Sequence, residues 1–401
     1  MSRPTALALR IAAEIERKGP ITFHDFMQLA LYDSDYGYYR TSRPKIGFAG
    51  DYYTSSNVHR VFGEVLADAF LDLFPGSDDA GNIVLVEIGA GTGRLATDIL
   101  NGLKAQKPAA YERLRYVIVE TSPAMRSLQR LALQEFSERV EWRDLEDLAS
   151  KPVVGIIFSN EVIDALPVHR IRVKHGRLQE LYVGPQPGGL ADQEGLGGPT
   201  HPDTLSTADS TSMRRICDPG LEFSWGEPST PRLSDYLESN NVILAEGQIA
   251  EIGLDAIDFF RKVLGAIGAG VLVTLDYGDT AEHLYDLSRP NGTIRAFSRH
   301  ILADPEIDLA GEQDITASVN FTALVRCGNE CGFEAVSYER QSNFLIRYGL
   351  IDRIVASPPI SNGTDRELKE RLAIKNLFVP GGTSDNFRVL VQRKERRTSA
   401  L

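Results

Sequence analysis

The segment Ile83-Val84-Leu85-Val86-Glu87-Ile88-Gly89-Ala90-Gly91-Thr92-Gly93 decides the fold, because an apolar run ends at three closely spaced glycines. A helical pattern follows at 94–103, so this segment predicts a buried strand, a glycine turn and a helix. Such a turn lets a ligand contact the backbone where any Cβ would collide. The structural alternative is a tight turn that binds nothing.

The glycine spacing favours a nucleoside ligand that carries no phosphate. A dinucleotide site needs its third glycine at position 94, where this chain has Arg94, and no lysine follows as a phosphate-binding loop requires. Glu120 ends the next apolar run, where a carboxylate can accept hydrogen bonds from both ribose hydroxyls. Glu87 adds negative potential that suits a sulfonium. The residues predicted to bind S-adenosylmethionine are Glu87, Gly89, Gly91, Gly93 and Glu120.

Asp144 is the candidate for contact with the adenine ring. It follows the short apolar run at 140–142. Because the carboxyl ends of parallel strands meet at one edge of a sheet, its carboxylate is placed to accept a hydrogen bond from the adenine amine. The alternative is a solvated surface aspartate.

A second polar group consists of Asn160, Glu161 and Asp164, just after the apolar run at 153–158. In an open α/β sheet this segment faces the same crevice as the glycine turn. Methyl transfer needs alignment and desolvation, and a carboxylate can hold a cationic acceptor such as a guanidinium. We therefore predict that these three residues are catalytic and that Asn160 also contacts the cofactor. The alternative is that Asp164 caps a helix and Asn160 ties the turn.

From residue 83 onward, short apolar runs alternate with helical patterns, which predicts an α/β protein with a parallel sheet. The sequence also predicts N-terminal helices at 5–18 and after Thr22, a hairpin about His175-Gly176 and a helix at 248–264. An aromatic segment at 32–60 is either a packed loop or a lid. The predicted segments are 1–80 for the N-terminal helices and lid, 81–183 for the cofactor-binding core, 184–240 for an irregular insertion, and 241–401 for the remaining core with C-terminal additions.

Composition excludes several classes of partner. The 401 residues carry a net charge of −12, so the surface repels nucleic acid and anionic lipid and attracts basic partners. No apolar run reaches the roughly 18 residues of a membrane span. The three cysteines and seven histidines show neither metal-ligand spacing nor a disulfide framework. We expect a cytoplasmic protein without a metal, because the N-terminus enters an amphipathic helix and lacks the features of a secretory or mitochondrial presequence.

These residues together resemble the MidA family of S-adenosylmethionine-dependent methyltransferases. The likeness covers nearly the whole chain, is weakest over 184–240 and past 350, and is carried by the motifs Gly19-Pro20-Ile21-Thr22-Phe23, Ala30-Leu31-Tyr32-Asp33, Gly37-Tyr38-Tyr39, Gly50-Asp51-Tyr52-Tyr53-Thr54-Ser55, Asn160-Glu161, Asp164-Ala165-Leu166-Pro167, Asp276-Tyr277-Gly278 and Asp314-Ile315-Thr316-Ala317. The resemblance implies a class I methyltransferase core with a Rossmann-like sheet, an N-terminal helical and lid segment, and C-terminal additions. Mitochondrial members are protein arginine methyltransferases that act as assembly factors of respiratory complex I. This implies methylation of arginine in a protein substrate, such as a respiratory complex subunit.

Two departures from the family pattern leave other acceptors open. Ser56 and Asn57 replace the Pro-Glu of the family, and Val162 and Ile163 replace paired aromatic residues. If that glutamate grips a guanidinium, Asn57 removes one charge-assisted contact. The alternatives are a small-molecule or peptide methyltransferase of a biosynthetic pathway, a non-catalytic assembly factor that retains the nucleoside pocket, and a nicotinamide-dependent oxidoreductase.

Overall fold

The computed structural model describes residues 3–41, 59–74, 82–185, 220–298, 301–356, 374–375, 377–378 and 383–396. Most of the predicted lid segment, including its motif at 50–55 and the departures Ser56 and Asn57, lies outside these residues, as does Cys217. Within the described ranges, no helix combines the length and the apolarity that crossing a bilayer requires.

The strands and helices of the described residues are numbered here in chain order. The strands are β1 Ile21–Thr22, β2 Ile83–Ile88, β3 Leu114–Val119, β4 Val140–Trp142, β5 Val153–Asn160, β6 His169–Lys174, β7 Arg177–Pro185, β8 Leu221–Gly226, β9 Ile249–Ile252, β10 Ile267–Asp279, β11 Arg295–Ser298, β12 Ile301–Ala303, β13 Asp314–Thr316, β14 Val319–Asn320, β15 Glu334–Arg340 and β16 Phe387–Lys394. The helices are α1 Ala6–Lys18, α2 Phe23–Tyr32, α3 Val61–Leu73, α4 Arg94–Gln106, α5 Pro108–Glu112, α6 Pro123–Ala132, α7 Leu145–Ser150, α8 Arg232–Ser239, α9 Leu254–Gly265, α10 Ala281–Leu284, α11 Phe321–Glu330, α12 Gln341–Arg347 and α13 Leu350–Ala356.

The chain forms two compact units, each assembled from separate segments. The sheet unit comprises Ser42–Leu166, Asp255–Leu284 and Ala317–Leu401. The meander unit comprises Met1–Thr41, Pro167–Leu254 and Tyr285–Thr316. The borders of these units do not coincide with the four consecutive segments drawn from the sequence, because the chain passes from one unit to the other several times.

The sheet unit is built on a mostly parallel sheet with the strand order β15-β16-β10-β5-β2-β3-β4. β16 runs antiparallel to its neighbours β10 and β15, and the remaining neighbours along this order pair in parallel. The predicted α/β class with a parallel sheet is confirmed. The apolar runs that predicted the strands are buried, as a parallel sheet covered on both faces requires.

The strand order reverses between β2 and β5. From β2 the chain adds β3 and β4 on one side, and it then returns to place β5 and β10 on the other side. Ile88 at the end of β2 pairs with Ser159 near the end of β5, so the two strands end side by side. Ligands of open α/β sheets bind at such a reversal, beyond the carboxyl ends of the strands. The glycine turn and the segment 160–164 both begin there.

The meander unit consists of helices and antiparallel strands. Thr5 and Thr22 cap α1 and α2 through their side-chain oxygens, which confirms the two predicted N-terminal helices. The strands β1-β7-β6-β9, with β8 on β7, form one sheet, and β12-β11-β13 form another. β6 and β7 are the predicted hairpin, with His175 and Gly176 at positive φ in its turn.

Two predictions in this unit were wrong in part. The predicted helix at 248–264 begins only at Leu254, because 249–252 pairs as strand β9 with β6. The Glu251 carboxylate is buried there and accepts hydrogen bonds from the backbone and side chain of Thr293, a tertiary contact that a helical pattern cannot foresee. The predicted irregular insertion at 184–240 contains β8, which pairs antiparallel with β7, and helix α8.

Candidate functional site

The glycine turn joins β2 to α4 and depends on glycine for its backbone. Gly89, Gly91 and Gly93 have φ of 71°, 52° and 85°, in the left-handed region that side chains disfavour. A Cβ on Gly89 would lie 2.7 Å from Cγ2 of Val162, and one on Gly93 would lie 3.3 Å from Cα of Gln129. The turn therefore exposes main chain next to both the 160–164 segment and helix α6.

Glu87 lies near the end of β2 with its side chain buried. The Tyr116 hydroxyl donates a 2.7 Å hydrogen bond to Oε2 of Glu87. Burial raises the pKa of Glu87 to about 7, although the hydrogen bond from Tyr116 opposes this shift. Glu87 thus carries a readily protonated carboxyl within the sheet, and its predicted contact with a cofactor remains a prediction.

Glu120 follows β3, and each of its two carboxylate oxygens accepts a hydrogen bond. Oε1 accepts a 2.8 Å hydrogen bond from the backbone N–H of Ser122. Oε2 accepts a 3.1 Å bond from Nε2 of Gln129, which also donates to the Gly91 carbonyl at 2.8 Å. The side chain of Gln129 therefore links the predicted ribose acceptor to the glycine turn.

Gln129 is a site residue that the sequence analysis missed. Its Oε1 accepts a 2.9 Å hydrogen bond from the indole N–H of Trp142, at the end of β4. Helix α6 buries Gln129 completely while Leu128 and Leu131, on the same helix, are 46% and 72% exposed. The sequence holds no signal for this role, because the leucines of the helical pattern point to a different buried face.

Asp144 is held by an arginine that also contacts the end of β3. Arg126 donates from Nη2 to Oδ1 of Asp144 at 2.5 Å and from Nε to the Glu120 carbonyl at 2.6 Å. The Asp144 side chain is 62% exposed, so its second carboxylate oxygen is accessible. The structure thus places Asp144 beside the end of β3, and its predicted contact with adenine remains a prediction.

The second polar group lies in a turn that follows β5. Asn160 is the last residue of β5, and its Nδ2 donates a 3.1 Å hydrogen bond to Oε1 of Glu161. Glu161 has φ of 54°, which is uncommon for any residue but glycine. Oδ1 of Asn160 is buried and accepts no hydrogen bond from the residues that the structure describes. Such an acceptor is costly to leave unpaired, so it marks a position where a ligand donor fits.

Asp276 of β10 holds this turn and was not among the predicted site residues. Its Oδ2 accepts hydrogen bonds from three consecutive backbone N–H groups, at 2.9 Å from Ile163, 3.3 Å from Val162 and 3.4 Å from Asp164. Its Oδ1 accepts from the N–H of Tyr277 at 2.8 Å. Burial raises the pKa of Asp276 to about 7, and the four backbone donors oppose that shift.

Asp164 lies within the same turn. Its side chain is buried, and the residues after it form turns and not a helix, so the alternative in which it caps a helix is wrong. Its carbonyl accepts a 2.9 Å hydrogen bond from the N–H of Ala317. Its predicted catalytic role remains a prediction.

The structure places all of the predicted site residues in the sheet unit, at the carboxyl ends of β2, β3, β4 and β5. The arrangement offers exposed main chain, a fixed carboxylate and an unpaired acceptor, which can bind a nucleoside and a polar or cationic group. In the part of the chain that the structure describes, no cluster of three His, Cys, Asp or Glu side chains could hold a metal ion.

Residues 65–339 match a protein family described as "Putative S-adenosyl-L-methionine-dependent methyltransferase". The chain is similar to the mitochondrial protein arginine methyltransferase NDUFAF7 homolog of Drosophila melanogaster, with 28% identity over 80% of this chain and 69% of that protein. It is 26% identical to mitochondrial protein arginine methyltransferase NDUFAF7 of Rattus norvegicus, over 80% of this chain and 69% of the relative. A crystal structure from Burkholderia thailandensis, bound to S-adenosyl-homocysteine, is similar with a TM-score of 0.80 and 26% identity, covering 97% of this chain and 92% of that one.

Proposed function

The chain belongs to the S-adenosyl-L-methionine-dependent methyltransferase family that its residues 65–339 match, and from this premise we propose that it methylates arginine in a protein substrate. It has the class I methyltransferase fold and uses S-adenosylmethionine as its cofactor. The choice of arginine is supported by the relatives, which are named protein arginine methyltransferases. It is also supported by an acidic chain with a carboxylate at the site, which suits a cationic acceptor.

The residues at the end of the sheet fit this cofactor. When bound, S-adenosylmethionine supplies a methyl group activated by its sulfonium. The glycine turn presents the exposed backbone of Gly89 to it, and Gly89 packs so closely on Val162 that a side chain there would collide. We assign Gly89, Gly91 and Gly93 to the methionine portion, Glu120 to the ribose hydroxyls and Asp144 to the adenine amine.

The turn after β5 carries the proposed acceptor site. Asp276 fixes the backbone of 162–164, Val162 of this segment packs against Gly89 of the glycine turn, and Glu161 precedes it with a positive φ. A carboxylate held in this way can bind a guanidinium by paired charge-assisted hydrogen bonds and so orient the attacking nitrogen. The buried Oδ1 of Asn160, beside the Glu161 carboxylate, is the observation that carries the proposal, because a donor from a ligand would relieve the cost of burying an acceptor without a hydrogen bond. That donor comes from the guanidinium or from the amino group of the cofactor.

The test is to identify the methylated product. The purified protein is incubated with S-adenosylmethionine carrying a tritiated methyl group and with soluble extract of cells that lack the gene. The protein fraction is then hydrolysed and its amino acids are separated. Label in methylarginine, formed about 30-fold more slowly with the Glu161→Gln variant, is the expected result. Label confined to low-molecular-weight material would overturn the arginine proposal in favour of a small-molecule acceptor, and cofactor binding without any transfer would favour an assembly factor.

The cytoplasmic location expected from the sequence stays a prediction, and the named relatives are mitochondrial proteins. We propose a basic protein segment as the partner, because the net charge of −12 attracts arginine-rich and lysine-rich sequences.

A further inference from the structure

Gln129 is buried where a leucine would ordinarily be buried. Helix α6 leaves Leu128 and Leu131 exposed and buries only the amide side chain of Gln129. Burying an amide is unfavourable unless its hydrogen bonds are made, whereas burying leucine is favourable in itself. The buried position of Gln129 is therefore stabilised by its hydrogen bonds and not by burial of the neighbouring leucines.

Those hydrogen bonds allow only one orientation of the side-chain amide of Gln129. An indole N–H can only donate, so the N–H of Trp142 requires the amide oxygen of Gln129 to face it, and the two atoms are 2.9 Å apart. The amide nitrogen must then face the other side, where it donates to the Gly91 carbonyl at 2.8 Å and to Glu120 at 3.1 Å. The direction of the bond to Glu120 is set by Trp142.

The Glu120 carboxylate is in turn fixed at both oxygens. Oε1 is held by the Ser122 N–H at 2.8 Å, and Oε2 is held by Gln129. A carboxylate oxygen has two acceptor positions, so each oxygen keeps one position for a further donor. Two free positions on a fixed carboxylate match the two neighbouring hydroxyls of a ribose.

From this geometry, and resting on the proposed role of Glu120, we infer that Gln129 is a positioning residue for the nucleoside. It aims the Glu120 carboxylate at the ribose diol and ties that carboxylate to the Gly91 carbonyl and to Trp142. Gln129 itself does not need to contact the ligand. Its contribution is preorganisation, because a carboxylate that is already oriented loses less freedom when the diol binds.

The experiment compares two ligands by calorimetry. One is S-adenosylhomocysteine and the other is its 2′,3′-dideoxy analogue, each titrated into the wild-type chain and into Gln129→Met, which keeps the side-chain length and removes the hydrogen bonds. We expect Gln129→Met to weaken S-adenosylhomocysteine about tenfold, the usual size for a hydrogen bond to a charged group, and the dideoxy analogue less than about twofold. The ratio of the affinities for the two ligands, which measures the preference for the diol, should fall accordingly.

An equal loss of affinity for both ligands would show a merely structural role and would overturn the inference, as would no loss for either. If Gln129→Met does not fold, Trp142→Phe removes the N–H that orients the amide while keeping an aromatic ring, and should lower the preference about threefold. In a Trp225→Phe background Trp142 is the one remaining tryptophan, and its emission should shift in Gln129→Met. An unchanged emission would contradict the bond to Gln129. Failure of the wild-type chain to bind S-adenosylhomocysteine would instead overturn the proposed function.

Discussion

The two halves of the candidate site are held in different ways. The cofactor half, at the ends of β2, β3 and β4, is held by pairs of side chains: Tyr116 with Glu87, Gln129 with Glu120, and Arg126 with Asp144. The acceptor half, after β5, is a backbone turn in which three consecutive N–H groups donate to one carboxylate, Asp276.

This difference indicates what each half is built to do. Several side-chain contacts fix the cofactor half before a ligand arrives, so a single substitution removes some of them and leaves the others in place. In the acceptor half, three neighbouring backbone N–H groups share one acceptor, Glu161 has a positive φ, and Oδ1 of Asn160 accepts no hydrogen bond from the described residues. Substitutions should therefore separate into graded effects on cofactor affinity and steep effects on turnover.

The largest effect is expected from Asp276→Ala. The substitution leaves the backbone donors of Val162, Ile163 and Asp164 without their acceptor, at about 1–3 kcal/mol each. The free energy of unfolding should fall by at least about 3 kcal/mol and turnover by more than about 100-fold. The affinity for S-adenosylhomocysteine should change less than about threefold, measured by calorimetry. A parallel loss of cofactor affinity would contradict the separation of the two halves.

The second effect concerns pH and Glu87. Burial raises the pKa of Glu87 from 4.5 to about 7, so its carboxyl stabilises the folded state most below pH 4.5, and this contribution is lost as the pH rises through 7. Glu87→Gln keeps an acceptor for Tyr116 and does not titrate. Relative to this variant, wild type should lose about 2–3 kcal/mol of unfolding free energy between pH 5 and pH 8, measured by urea denaturation. Glu138→Gln, at an exposed position, is the control and should show no such change. If the difference in unfolding free energy between wild type and Glu87→Gln did not vary with pH, the raised pKa of Glu87 would be refuted.

The third effect is on turnover alone. Glu161→Gln removes the charge that holds a guanidinium and should lower kcat about 30-fold. The dissociation constant of S-adenosylhomocysteine should stay within about twofold. Loss of ligand binding in this variant would place Glu161 in the cofactor half and would overturn its acceptor role.

The fourth effect tests the contact between the halves. Gly89→Ala places a Cβ 2.7 Å from Val162 at a φ of 71°, which should weaken S-adenosylhomocysteine about tenfold. Gly176→Ala is the matched control, because Gly176 has a φ of 67° and nothing within 4 Å of the added Cβ. Both variants should lose stability, but only the first should lose affinity. Equal affinities for the two variants would show that the glycine turn is only a turn.

The smallest effect is expected from Asp144→Asn. Its ion pair with Arg126 is largely exposed, and such pairs contribute about 0–1 kcal/mol. The affinity for S-adenosylhomocysteine should fall at most about threefold in calorimetry. A loss of 100-fold would mean that Asp144, and not Glu120, is the main nucleoside acceptor.

The sequence predicted the cofactor half better than the acceptor half, for a physical reason. An apolar run before closely spaced glycines defines β2 and its turn through local patterns, and the positive φ of Gly89, Gly91 and Gly93 agrees with the choice of glycine. The positions of Glu120 and Asp144 are predictable because the carboxyl ends of parallel strands meet at the same edge of the sheet. The hairpin about His175-Gly176 was predicted on similar local grounds.

The roles of Gln129, Asp276 and β9 depend on contacts between distant parts of the chain. Gln129 is understood only once Trp142 and the glycine turn lie beside it, and the burial of a glutamine next to an exposed Leu128 reverses the expected pattern. Asp276 belongs to the motif Asp276-Tyr277-Gly278. Its hydrogen bonds to the backbone of 162–164 form because strand β10 pairs with β5, which the motif does not predict. The segment 249–252 fits the helical pattern of 248–264 in the sequence, but it forms strand β9 because it pairs with β6.

The central claim is that a nucleoside lies on the glycine turn with its ribose on Glu120, and a crystal structure of the complex with S-adenosylhomocysteine tests it most directly. We predict that both ribose hydroxyls lie within about 2.6–3.2 Å of the Glu120 carboxylate oxygens, with the ligand against the backbone of Gly89 and Gly91. A ligand bound elsewhere on the sheet unit, or a Glu120 side chain turned away from the ribose, would contradict the claim.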